Sequence, residues 1–309
     1  MQKENKKPAT QKIAVIGAGA VGSAVAYTLM VKNLAPEVDL IDIDLQKEEG
    51  EIMDIDDGMS FVETGSVRGA TFRDAAKADI IIVTAGLPQK PGETRLDLVK
   101  KNRVILESIF KSIGKLKPSA IVLLVANPVD VLTYVAQEIS GLPKNQVFGT
   151  GTGLDTARLR SELSHYLNVY AQNIIGYVLG EHGDSEFVAW SSVSVGGVPL
   201  KQLKLPTSAL VEIEKKVKSA AYAIINRKGA TFYGIALTVA DFVEAILFNQ
   251  HKIMPASVRL DKWNGISGLC LGVPAIIGRS GVEGVWPLEL DRGEKKKFEY
   301  SAKTIKSLL

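Results

Sequence analysis

The chain has 309 residues, 46% of them hydrophobic and 23% charged, which is enough for two ordinary globular domains with a large core. Its 37 basic and 34 acidic residues leave a net charge of only +3, so composition gives no reason to expect nucleic acid or a membrane surface as partner. A single cysteine excludes an intrachain disulfide and fits a reducing, cytoplasmic compartment, and with three scattered histidines it forms no metal-ligand spacing, so no metal is expected.

Residues 1–10 are polar and charged, without the apolar core of a signal peptide, and read as a frayed lead-in. No later stretch reaches the length of a transmembrane span. The β-branched run from Lys12 then meets Gly17-x-Gly19-x-x-Gly22 and becomes helical. In such a strand, turn and helix, Gly17 permits the tight turn, Gly19 lets a pyrophosphate approach the backbone, and Gly22 lets helix and strand pack closely. The helix N-terminus offers free N–H groups to the phosphates. A second strand at 38–42 ends in Asp42, about 20 residues past Gly22, where a carboxylate accepts ribose hydroxyls and repels a 2′-phosphate. NAD is therefore expected rather than NADP.

A helix is predicted over 46–57, a third strand near 67–72, a short helix or turn at 74–79, and a central parallel strand at 80–84. Residues 85–95, with two prolines and two glycines, leave that strand at its carboxyl end, where open α/β sheets bind ligands, and read as an extended active-site lid. Leu98, Val99, Val104, Ile105, Ile109, Phe110 and Ile113 recur at helical spacing, so a long helix follows until Pro118. A buried strand at 120–125 delivers Asn127, and Pro128 opens another helix. The glycine-rich break at 149–155 marks a domain boundary. Beyond it come a helix at 155–167, a strand at 174–179, an antiparallel ribbon at 190–199, helices at 208–227 and 231–249, strand-like stretches from 253 to 277, and a C-terminal helix from Arg292. Cys270, in an apolar run, reads as a buried small hydrophobe.

If a nicotinamide lies across the sheet, the chemistry is hydride transfer and the protein must supply a proton and hold the second substrate. His182, between glycines just past a strand, is the candidate acid/base, while His165 and His251 read as solvated. Asp155 is placed to fix its tautomer and stabilise the imidazolium. Arg158, three residues on along the same helix face, offers a planar fork for a carboxylate.

These segments, with the lid 89–95, Asn127-Pro128, the run around Asp155 and Arg158, and Gly180-Glu-His182-Gly-Asp184, resemble the lactate/malate dehydrogenase family in order and spacing from about Lys12 to the C-terminus. The resemblance implies an α/β fold, a doubly wound parallel Rossmann sheet binding NAD over 1–149 followed by an α+β substrate domain over 150–309. It implies His182 as acid/base, Asp155 as its orienting group, Arg158 on the substrate carboxylate, Arg95 closing with the lid to polarise the carbonyl, and Asn127 beside the substrate oxygen and nicotinamide. It also implies Ala20, Val21, Thr84, Ala85, Gly86, Val125, Thr150 and Ile235 against the cofactor, and Thr231 in the substrate pocket.

The family divides by what the lid presents. Where malate dehydrogenases carry an arginine for a second carboxylate, this chain has the neutral Gln89, which suits the methyl group of pyruvate. The expectation is therefore L-lactate formation from pyruvate, with oxaloacetate or a larger 2-oxo acid as alternatives and a catalytically silent NAD-binding module as the reading from a different class. The intact set His182, Asp155, Arg158, Arg95 and Asn127 argues against a silent module. Many bacterial relatives are activated by fructose bisphosphate through an arginine and a histidine; Arg160 matches the first, but Ile175 stands at the second and argues against such activation. By analogy with the family, a homo-tetramer is expected.

Overall fold

Ile13–Ile16 forms the central strand β1, buried on both faces. Ile13 and Val15 point into one apolar cluster, Ala14 and Ile16 into another on the opposite side, which is why the strand reads as a continuous apolar run rather than an alternation. The computed structural model describes residues 11–88 and 92–309, so the N-terminal lead-in and Gln89 lie outside the described residues.

After β1 come α1 (Ala20–Val31), β2 (Glu37–Ile41), α2 (Leu45–Asp56), β3 (Ser66–Gly69), α3 (Phe72–Ala75) and β4 (Ile80–Val83), then α4 (Arg95–Ile113), β5 (Ile121–Leu124), α5 (Val129–Ile139) and β6 (Val147–Gly149). The sheet order β3-β2-β1-β4-β5-β6 is parallel throughout, with Val15 opposite Leu40 on one side and Ile82 on the other. This is the doubly wound dinucleotide-binding order, and the strand order reverses between β1 and β4, opening a crevice at their carboxyl ends.

The second half contributes α6 (Gly153–Leu167), β7 (Ile174–Ile175), β8 (Val178–Leu179), β9 (Phe187–Val188), β10 (Ser194–Val195), β11 (Val198–Pro199), α7 (Thr207–Lys228), α8 (Tyr233–Leu247), β12 (Lys252–Arg259), β13 (Cys270–Gly278), β14 (Gly281–Val285) and α9 (Arg292–Lys306). Gly149 of β6 pairs antiparallel with Ser257 of β12, so β12, β13 and β14 extend the first sheet to nine strands across the glycine-rich break. Helices α1 and α8 pack together over one face of it.

Several elements depart from expectation. The strand predicted at 174–179 is two strands broken at Gly176 and Tyr177, because β7 pairs with β10 while β8 pairs with β9 in a separate ribbon. The third strand stops at Gly69, where a capping box between Thr71 and Asp74 starts α3 instead. The helix predicted from Thr231 begins at Tyr233, leaving Thr231 ahead of it. Strands β6 and β14 carried no usable sequence signal, being short and bounded by glycine. Cys270 is fully buried, and burial pushes its thiol pKa far up, as an inert core residue requires. No helix among the described residues is long and apolar enough to cross a membrane.

Candidate active site

The crevice at the strand reversal is a cavity of about 660 Å3. Gly17, Gly19, Ala20, Val21, Gly22, Asp42, Thr84, Ala85, Gly86, Val125, Asn127, Thr150 and Ile235 all line it, as do Arg158, His182 and Thr231. The three glycines differ in what surrounds them. A Cβ on Gly22 would stand 1.7 Å from the Gly17 carbonyl oxygen, and one on Gly17 would strike the Ala85 nitrogen at 2.8 Å, so both are demanded by the turn and the strand beside it. Nothing lies within 4 Å of a Cβ built on Gly19. That open space at the head of α1 is where a pyrophosphate fits. The Asp42 carboxylate accepts from Ala18 N–H at 2.6 Å and Asp44 N–H at 3.0 Å, which holds it at the cavity wall with lone pairs left for hydroxyl donors. The residues present thus fit a dinucleotide.

At the inner end, side chains replace backbone. Asp155 lies in the first turn of α6, where the helix dipole favours an anion, and Arg158 follows one turn on, its Nη1 donating to Asp155 Oδ1 at 2.8 Å. Asp155 Oδ2 accepts from His182 Nδ1 at 2.7 Å. With Nδ1 so engaged, the other ring nitrogen is left for a substrate. His182 rides on a loop tied to three elements through consecutive residues. Gly180 exchanges backbone hydrogen bonds with Gly272 of β13, Glu181 N–H donates to Ser301 Oγ of α9 at 2.6 Å, and His182 N–H donates to Asp130 Oδ2 of α5 at 2.8 Å.

Burial alone would lower the pKa of His182, but the charge of Asp155, the hydrogen bond to it and the charge of nearby Asp130 outweigh burial and lift it to about 9. For Asp155, burial works upward, and His182 and Arg158 win, holding it below the usual carboxylate range. Burial pushes Asp130 up to about 6, against hydrogen bonds from Ser257 and the His182 backbone.

Arg95 stands apart. It is the first residue of α4, set there by a capping box in which Thr94 accepts from Asp97 N–H, and its Nη2 pairs with Glu181 at 2.6 Å and donates to the His182 carbonyl at 3.1 Å, outside the cavity lining. The guanidinium lies so close to Gly183 that a Cβ there would meet Nη2 at 2.5 Å. Gln89, expected to select the substrate, lies outside the described residues.

Four buried positions around the site escaped sequence reasoning. Asn102, buried on α4, accepts from Leu87 N–H at 2.8 Å and donates to the Asn127 carbonyl at 2.6 Å, tying the root of the 85–95 loop to the strand end that carries Asn127. It was visible in principle as a polar residue four positions from both Leu98 and Leu106 on the buried face. Glu181, Asp130 and Glu186 are buried acids around His182, each an exception to the rule that carboxylates stay outside, and only the fold shows what they face.

Two family models cover almost the whole chain: the lactate/malate dehydrogenase NAD binding domain matches residues 11–149, and the lactate/malate dehydrogenase alpha/beta C-terminal domain matches 152–309. The chain is 43% identical to an L-lactate dehydrogenase of Acetivibrio thermocellus, over 99% of this chain and 98% of that one. It is also 43% identical to one of Clostridium botulinum, over 98% of each. Among solved structures it superposes on the minor L-lactate dehydrogenase of Enterococcus mundtii with a TM-score of 0.93 at 41% identity, over 97% of both chains.

Proposed function

Because the chain belongs to the lactate/malate dehydrogenase family, we infer that it is an NAD-dependent L-lactate dehydrogenase, reversibly converting pyruvate and NADH to L-lactate and NAD+. The observation that carries the mechanism is the hydrogen bond from His182 to buried Asp155 at the inner end of the dinucleotide cavity, with Arg158 on the same wall.

Bound NADH supplies the hydride. Arg158 holds the pyruvate carboxylate through parallel N–H donors, which fixes the ketone beside His182. With its pKa lifted to about 9, His182 carries a proton at neutral pH and gives it to the oxygen as negative charge develops there. Asp155 keeps the ring oriented and holds the charge of the imidazolium until that transfer. Arg95 leaves Glu181 when the loop 85–95 closes, and adds a second positive charge at the ketone oxygen. Asn127 hydrogen-bonds near the same oxygen, and Thr231 and Ile235 line the space around substrate and nicotinamide.

The neutral Gln89 supports pyruvate over oxaloacetate, whose second carboxylate would be left without a cation. We assign cofactor binding to residues 1–149 and substrate binding to 150–309, acting in the cytoplasm. Self-association, by family analogy as a homo-tetramer, is supported by the exposed apolar side chains Leu45, Met53 and Phe61 on and around α2 and Leu237 on α8. The test follows NADH oxidation by the purified protein with pyruvate and with oxaloacetate, each with and without fructose bisphosphate. A strong preference for pyruvate is expected, with no activation because Ile175 offers no cation. A preference for oxaloacetate would overturn the substrate assignment while leaving the proton relay intact.

A further inference from the structure

Glu186 is a buried acid that this mechanism leaves without a role. Only 4% exposed, it follows His182 by four residues in a turn where its N–H donates to the Gly183 carbonyl at 3.0 Å, just before β9. Its Oε2 lies 4.0 Å from His182 Nδ1, and ligand atoms of Asp155, His182 and Glu186 all fall within 4.8 Å of one another.

Two carboxylates buried this close together repel one another, and a shared proton removes that repulsion by making one of them a hydrogen-bond donor to the other. Asp155 does not hold it, because its two oxygens already accept from His182 and Arg158. Charge balance points the same way. With Asp155 and Asp130 ionised, the imidazolium and Arg158 are already balanced. An ionised Glu186 would be a third buried anion beside two cations even before the substrate carboxylate enters, which is costly, whereas a neutral Glu186 adds no charge. Burial first, and then the charge of Asp155, push Glu186 well above the ordinary carboxylate range.

We propose that Glu186 is a positioning residue of the reaction: as a neutral carboxylic acid it donates a hydrogen bond to Asp155 and draws part of that carboxylate's charge away from His182. The imidazolium is thereby held less tightly and gives its proton to the forming alkoxide more readily. The proposal rests on the L-lactate dehydrogenase reading. The other charges around the cluster belong to Asp130 beneath His182, to the Glu181 and Arg95 pair, and, across a small cavity that Glu186 also borders, to Asp184, Lys218 of α7 and Lys296 and Lys297 of α9, with Glu214 answering Lys218 and Lys297. None of these is altered by a change at position 186.

Two measurements test it. In infrared spectra near pH 7.5, where Asp130 with its pKa of about 6 is largely ionised, the wild type should show the carbonyl stretch of a buried carboxylic acid that Glu186→Gln lacks. In the pH profile of pyruvate reduction, Glu186→Gln keeps a donor to Asp155 and should leave the basic limb in place. Glu186→Leu removes the donor and should move that limb upward by about one unit, with kcat falling more than the Michaelis constant for pyruvate changes. Absence of the infrared band, a limb that moves downward in either variant, or a Glu186→Leu profile identical to the wild type would each overturn the proposal. If Glu186→Leu does not fold, the infrared band and the Glu186→Gln profile decide alone. Absence of pyruvate turnover in the wild type would count against the enzyme reading instead, since the band is read without turnover.

Discussion

The two ends of one cavity are built by opposite means. The cofactor end is made of backbone: a turn of about six residues from Gly17 to Gly22, the Thr84 to Gly86 strand end behind it, and a single carboxylate, Asp42. The catalytic end is made of side chains that converge from α5, α6 and the loop between β8 and β9, with Arg95 arriving from α4 to pair beside that loop. A backbone site is a matter of space, and fails when a Cβ occupies it. A site of buried side chains is a matter of charge balance, and fails when one partner is removed. The first should therefore lose binding, and the second chemistry.

The largest effect is expected at His182. Replacing it in His182→Ala should lower kcat for pyruvate reduction by roughly 10²–10⁴-fold, the usual contribution of a general acid, while NADH binding followed by fluorescence titration stays near that of the wild type. If NADH affinity fell with it, the two ends would not be separable. Arg158→Lys exchanges a planar fork for a point charge and should raise the Michaelis constant for pyruvate on the order of a hundredfold in steady-state kinetics, with NADH binding again spared. Gly22→Ala acts at the other end. Its Cβ would stand 1.7 Å from the Gly17 carbonyl, so the turn must shift, and NADH affinity should fall by about tenfold with a loss of about 1–3 kcal/mol in denaturant-induced unfolding. Turnover at saturating NADH should change least of all. The mildest probe is pH. Reduction needs protonated His182, so its kcat/KM should decline as pH rises through about 9, whereas lactate oxidation, which needs the neutral ring, should gain over the same range.

Legibility in the sequence follows the same division. The turn at Gly17 to Gly22 could be read because a backbone site is local: strand, turn, helix and acid lie within about thirty residues, and each glycine has its own steric reason. The pairing of Asp155 with Arg158 was legible from helical spacing, and His182 from its place after a strand. The broken strand at 174–179 was not legible, since Gly176 alone gives no hint that the halves serve different ribbons. Nor was the resting place of Arg95 on Glu181, which joins residues 86 apart in the chain.

By itself, then, the sequence determined the parallel sheet, the dinucleotide crevice and the preference for NAD, and it singled out His182, Asp155 and Arg158 as candidates for the acid/base, its orienting carboxylate and the substrate-binding arginine, because these readings rest on periodicity, local sterics and intrinsic chemistry. Only the tertiary structure decided that β12, β13 and β14 continue the first sheet beyond β6, and that Asp130, Glu181 and Glu186 surround the histidine. The protonation of a buried acid depends on which charges and donors lie within a few ångströms of it, and those neighbours are set by folding rather than by distance along the chain.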